Sequence, residues 1–231
     1  MNAVLALLRS SIGRKIVMAV TGVVLFGFVL AHMAGNLQAF AGPTKLDEYG
    51  AALRKVPALL WGARLGLLAA SILHVWAAAS LTLTSWAARP QGYRSLRSQD
   101  STYASRSMRI SGVVLFAFIV YHLLHFTIGS VHPDFVEGGV NHNVVTGFRV
   151  LWVTGLYVVG MACLGLHLWH GVWSMTQTLG LAHPRYDALR ENAATAFTLI
   201  VVLGFLALPI GVLAGFIKEP PSVAAQAQVG R

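Results

Sequence analysis

Charge is what this sequence has least of. Only 11% of its 231 residues are Asp, Glu, Lys or Arg, against about 25% in an ordinary soluble domain. So few charges cannot cover the surface of a soluble fold of this length, and the mean hydropathy of +0.66 says the same. Acidic residues are the scarcest, 8 against 17 basic ones, and none lies in the long apolar runs. Cysteine is nearly absent. Cys163 alone excludes an intrachain disulfide and any cysteine-ligated metal cluster. A cleavable leader is not expected either: Met1–Leu8 is too short for the apolar region of a signal peptide, and Arg9, Arg14 and Lys15 follow it instead of preceding it. No linker is long enough to hold a second domain, so residues 1–231 read as a single integral membrane domain.

What is present is uncharged length. The runs Ile16–Thr44, Leu65–Ala88, Ile110–Pro133, Val150–Pro184 and Asn192–Ile217 each exceed the roughly 20 residues a helix needs to cross a hydrocarbon core of about 30 Å. Turn formers at Gly42-Pro43, Arg89-Pro90-Gln91-Gly92, His132-Pro133-Asp134 and His183-Pro184 separate them. The pattern predicts an all-α membrane protein with spans over 12–40, 58–87, 106–130, 146–178 and 192–217, and a short outer helix over Lys45–Lys55. The net charge of +9 would suggest nucleic acid in a soluble chain, but here the basic residues sit mostly in loops, so topology is the better reading. Five spans put the termini on opposite faces. The N-terminal face collects ten of the 17 Lys and Arg residues, which predicts a cytoplasmic N-terminus in a bacterial inner membrane.

Six of the nine histidines fall within spans: His32, His74, His122, His125, His167 and His170. Ionisable groups in lipid are costly and count as functional candidates. Proton pumps and cation carriers usually place carboxylates at depth, whereas neutral imidazole without carboxylate suits axial ligation of haem iron. Depth sorts the histidines. At 1.5 Å per residue, His32 and His122 lie roughly 12–15 Å from the outer ends of their helices. His74 and His167 lie roughly 17–20 Å from the inner ends. Two pairs follow, and with them two stacked haem sites in a bundle of four helices. His122-Leu-Leu-His125 and His167-Leu-Trp-His170 repeat one spacing, and residues three apart share a helix face, so either member of each could serve. Span glycines such as Gly22, Gly27, Gly66, Gly155 and Gly160 fit close helix approach, or room for a flat cofactor.

Several segments together resemble a known family. They are Ser10-Ser11-Ile12-Gly13-Arg14-Lys15 with Met18 and Thr21-Gly22; His32-Met-Ala-Gly35-Asn36-Leu37; Tyr103-Ala-Ser-Arg106 with Ser111-Gly112; Tyr121-His122-Leu-Leu-His125-Phe126-Thr127; and His167-Leu-Trp-His170-Gly171-Val-Trp173-Ser174 with Gln177-Thr178. In this order they resemble the five-helix, two-haem cytochrome b subunit that anchors succinate dehydrogenase and quinol:fumarate reductase. The likeness runs from residue 10 to about 217. It implies one haem-ligating histidine in each of the first four helices, at His32, His74, His122 and His167, with the first helix paired to the third and the second to the fourth. Some relatives carry a glutamate shortly before the helix-four ligand; Gly165 and Leu166 stand there in this chain.

The resemblance further implies two haem b groups, a quinone as substrate (menaquinone or ubiquinone), and partner flavoprotein and iron–sulfur subunits on the cytoplasmic face. The chain itself would do no chemistry on dicarboxylates. It would carry electrons between the iron–sulfur subunit and the quinone, whose site it would help to form. Ser11, Arg14 and Lys15 at the inner end of the first helix, and Arg106 at the start of the third, are candidate propionate partners; basic residues at span ends also snorkel as a matter of course. Arg89, Arg94, Arg97, Arg106 and Arg109 could dock the iron–sulfur subunit. Asp47 and Glu48 at the outer end, or the inner Ser/Arg cluster, are open possibilities for the quinone. Two other readings are the cytochrome b anchor of a different quinone-linked enzyme and a haem-free transporter or scaffold. The first usually places two ligands far apart on one helix, and the second lacks spanning carboxylates and inverted halves here.

Overall fold

The computed structural model describes residues 8–88 and 103–219, with 103–106 described by their backbone alone. Among these residues every regular element is helical. Helix α1, Ser11–Asn36, begins where the Ser10 hydroxyl accepts the Gly13 N–H at 2.9 Å, the reach of an N-cap to the third helical residue. It tightens into a 3₁₀ turn over Leu37–Ala41 and stops at Gly42. Helix α2, Lys45–Arg54, carries Asp47 and Glu48 in its first turn, where carboxylates meet the positive end of the helix dipole. Helix α3, Pro57–Ala87, starts on a proline, whose missing N–H costs nothing at the first helical position.

Helix α4, Tyr103–His122, continues as a π-helical segment over Leu123–Ile128 and ends at Gly129. Gly129 has φ +81°, and a side chain there would run into the Phe135 ring, so both conformation and space require glycine. Helix α5, Val140–Arg149, is separated from α6, Leu151–Thr178, by Val150 in extended conformation. A 3₁₀ turn at Pro184–Tyr186 leads into α7, Asp187–Leu213, which carries Pro209 inside it.

Five of these helices are long and apolar enough to cross a membrane: Ser11–Ala41, Pro57–Ala87, Ser107–Ile128, Leu151–Thr178 and Pro184–Leu213. All five sequence spans are therefore matched, with shifted ends. The fourth begins at Leu151 rather than 146, because the chain breaks at Val150 and the preceding residues form their own helix. The fifth begins at Asp187 rather than 192, because Asp187 is favourable in a first helical turn even though the charges at 187, 190 and 191 ended the apolar run. The outer helix over Lys45–Lys55 appears as α2.

The chain divides into two compact units, Met1–Leu30 with Ala58–Met108 and Leu166–Thr198, and Ala31–Pro57 with Arg109–Gly165 and Leu199–Arg231. The first packs mainly through small residues, Ala19, Ala70, Ala77 and Ala194, as membrane helices do when their backbones approach closely. Phe26 stacks on Phe197 at 3.8 Å between ring centres. The second has a larger core in which Leu46 of α2, Val145 and Phe148 of α5, Val153 and Tyr157 of α6, and Leu208 of α7 meet. Asn141 closes it: its backbone N–H donates to Asp47 Oδ1 at 2.8 Å and its side-chain amide to the Lys218 carbonyl at 2.8 Å. Large apolar side chains elsewhere face outward along the long helices, among them Leu65, Leu83, Val113 and Ile210, which is the surface lipid would cover.

Candidate functional site

Each unit contains one pair of facing histidines. In the second, α1 carries His32 and the last turn of α4 carries His122, with ring centres 5.9 Å apart and planes at 79°. Aromatic rings surround them: Phe205 stands 5.8 Å from His32, and Phe118 and Phe126 stand 6.1 and 5.8 Å from His122. The Asn36 amide, one turn along α1, lies 3.3 Å from His32 Nε2. His122 Nδ1 lies 3.2 Å from the Tyr157 hydroxyl. Gly160 allows α6 to come this close, since a Cβ there would fall 2.7–2.9 Å from the Phe118 ring.

In the first unit, His74 of α3 faces His167 of α6, with ring centres 6.3 Å apart and planes at 60°. Thr21 Oγ1 lies 3.1 Å from His74 Nδ1. The threonine proton has its own acceptor, the Val17 carbonyl at 2.7 Å. With that proton engaged, the Thr21 oxygen is placed to accept an Nδ1–H of His74, and the Met18 backbone also hydrogen-bonds this ring. An Nδ1–H leaves Nε2 as the lone-pair nitrogen. His167 Nδ1 is buried without a hydrogen-bond partner among the described residues. Gly22 sits beside the pair, its missing side chain 3.6 Å from His74 Cε1, an ordinary contact distance.

The second histidine of each repeated motif does not join these pairs. His125 lies in the π-helical segment, has no exposed surface, and reaches the same Tyr157 hydroxyl through Nδ1 at 3.1 Å. Its ring packs on His132 at 4.7 Å. His132 is satisfied at both nitrogens: Nε2 donates to the Asn143 carbonyl at 2.9 Å, and Nδ1 accepts the Asp134 N–H at 3.1 Å. His170 is half-buried, one turn beyond His167.

Of the other sequence candidates, Arg14 donates to the Ser80 carbonyl at 3.3 Å and to Thr84 Oγ1 at 3.0 Å, tying α1 to α3, while Ser11 and Lys15 are exposed. Arg89, Arg94 and Arg97, and the side chain of Arg106, lie outside the described residues. Asp47 is taken up by the N-terminus of α5. Glu48 pairs with Lys45 at 2.7 Å on the surface, and that hydrogen bond holds its carboxyl below the usual range.

Two residues carry no site signal in the sequence: Tyr157 stands in an apolar run, and Arg190 stands among the charges that precede the last such run. Arg190 instead lies over the Trp173 ring at 4.3 Å, donates to Thr176 Oγ1 at 2.6 Å and pairs with Asp187 at 2.7 Å.

A family model for the succinate dehydrogenase/fumarate reductase transmembrane subunit matches residues 88–207, just over half of the chain. The chain belongs to that family. The match takes in His122, His125, Tyr157, His167 and His170 of this transmembrane subunit, and begins after His32 and His74. No curated protein and no solved structure matches the chain. The subunit is thus a membrane component of a succinate dehydrogenase or fumarate reductase, with five membrane-length helices among its described residues.

Proposed function

We propose that this subunit is a dihaem cytochrome b anchor, holding one haem b between His32 and His122 and a second between His74 and His167. The observation that carries the reading is the pair of His–His approaches at 5.9 and 6.3 Å, in spans that contain no aspartate or glutamate at depth. Two imidazoles bound to one metal through nitrogen–metal bonds of about 2 Å bring their ring centres to about 6 Å, so the residues present suit a group held from both sides. Hydrogen-bond acceptors at Nδ1 of His74 and His122 suit it as well, since a ligating imidazole usually donates its other N–H. At His32 the Asn36 amide occupies Nε2, and ligation there would replace that bond.

When bound, the haems supply one-electron transfer at potentials set by axial ligands, burial and hydrogen bonding. The chain's own residues orient the imidazoles, hold the protons of His74 and His122 at Nδ1, and wall out water at the His32–His122 pair with Phe118, Phe126 and Phe205. In this reading residues 1–231 form a single membrane domain in a bacterial inner membrane, N-terminus inside. A flavoprotein and an iron–sulfur subunit would sit on the cytoplasmic face, and this subunit would link them to membrane quinone, with His32, His122, His74 and His167 holding the groups that supply electron transfer. Arg14, Lys15, Ser11 and Arg106 are proposed propionate partners.

Haem content per polypeptide, with dithionite-reduced minus oxidised spectra of purified protein, tests the reading. Two b-type haems per chain are expected. One would remove one of the two pairs as a site, and none from folded protein would leave a haem-free scaffold.

A further inference from the structure

A phenolic hydroxyl has one hydrogen to donate and two lone pairs that accept. The Tyr157 hydroxyl has two imidazole nitrogens within reach, His122 Nδ1 at 3.2 Å and His125 Nδ1 at 3.1 Å. It cannot donate to both, so at least one imidazole donates to it. A neutral imidazole carries one N–H, so the tautomers of His122 and His125 are coupled through this hydroxyl. We propose that Tyr157 is a positioning residue for the His32–His122 site: its hydroxyl accepts the Nδ1–H of His122 and donates to Nδ1 of His125, which keeps Nε2 of His122 as a lone pair available to a metal.

The inference rests on the dihaem reading and adds to it the roles of two residues. His125, rather than competing with His122 for a ligand, anchors the tyrosine. Its place is fixed independently. The side chain is fully buried, its ring lies against His132, and a Cβ on Gly147 would fall 2.9 Å from its Cε1, so α5 closes over it. His132 offers it no hydrogen bond, because both of its nitrogens are already engaged. His125 Nε2 accordingly has no partner among the described residues. A proton left on that buried, unpaired nitrogen costs free energy, and it stays there because Tyr157 occupies the other one. The second pair is built on the same principle from unrelated residues: Thr21, its own proton held by Val17, accepts the Nδ1–H of His74. Each proposed site thus has one histidine whose tautomer is set by a hydroxyl oxygen from a neighbouring helix.

Removing the acceptor makes the His122 imidazole less basic and stabilises the oxidised iron less. In the full-length chain within its membrane complex, Tyr157→Phe is therefore expected to retain both haems and to raise the midpoint potential of one of them. The low-spin EPR signal of that haem should shift, with the other haem unmoved. His125→Gln, which keeps an acceptor beside the hydroxyl, should leave the potential near the wild-type value. His125→Leu should move it in the same direction as Tyr157→Phe. If Tyr157→Phe does not accumulate, the two His125 variants decide the question.

Unchanged potentials and EPR signals in Tyr157→Phe, equal shifts of both haems, or identical behaviour of His125→Gln and His125→Leu would each overturn the proposal. Wild-type protein without haem, or His32→Ala that keeps both haems, would instead overturn the dihaem reading, and the role of Tyr157 with it.

Discussion

Six histidines share the apolar interior of this chain, yet their surroundings differ in kind. Four face one another in pairs, one is locked against a tyrosine and a second histidine, and one sits half-buried a turn away. If the pairs bind iron, loss of either member should remove the same haem. His32→Ala and His122→Ala are expected to abolish one b-type EPR signal, and His74→Ala and His167→Ala the other. A haem lost from His125→Ala but kept in His122→Ala, or lost from His170→Ala but kept in His167→Ala, would reassign the ligands. The hydroxyl at His74 makes a finer prediction. Thr21→Val keeps the shape and removes the hydroxyl acceptor, leaving the Met18 backbone contact. Outer-shell partners of this type are worth about 10–100-fold in metal affinity, so the lower end is expected. The haem at His74 should then be released about tenfold more readily on detergent dilution, with the other retained. Equal retention of both would make Thr21 a packing residue only.

At the scale of elements, the long helices were legible in the sequence because lipid imposes length and the absence of charge, and both can be counted along the chain. The break at Val150 was not, because nothing about Val-Leu-Trp signals an extended residue; it arises where α5 packs its buried face onto α2 and the end of α7. That a histidine of α1 would share a depth with one of α4, and one of α3 with one of α6, was legible in the sequence. Depth left His122 against His125 and His167 against His170 open, and only the resemblance chose between them. Tyr157 and Thr21 were not legible, because a hydroxyl in an apolar run acquires its partner only when helices meet. Two element contacts can be tested by stability. Asp47 accepts the Asn141 N–H at the start of α5 from a different helix, and losing such a cap costs about 1 kcal/mol. Asp47→Ala should lower the unfolding free energy in detergent by that amount. Gly160 lies against the Phe118 ring with no room for a side chain, whereas Gly155 on the same helix faces open space. Gly160→Val should destabilise by about 1–3 kcal/mol as overpacking does. Gly155→Ala should cost nothing, since alanine is the better helix former. A similar thermal midpoint for the two variants would mean that α4 and α6 do not approach at Gly160.

For the whole molecule the testable quantity is orientation: the family and the five membrane-length helices among the described residues make the chain a membrane subunit, and the distribution of its charges gives it a direction. Basic residues decide topology through their distribution, and in the proposed topology ten of the 17 fall on the face that holds the N-terminus and the loop before α7. In the proposed complex the excess bears on function as well as insertion: the partner subunits would dock on the cation-rich face, the one that insertion keeps in the cytoplasm. The single native cysteine makes the test direct. On a Cys163→Ser background, Lys45→Cys places a thiol on exposed α2, and Arg185→Cys places one on the exposed turn before α7. A membrane-impermeant maleimide added to intact spheroplasts should label the first. The second should be labelled only after the membrane is opened. The reverse pattern would put the N-terminus outside and turn the basic face away from the cytoplasm, and it would leave the proposed docking of an iron–sulfur subunit on that face without support.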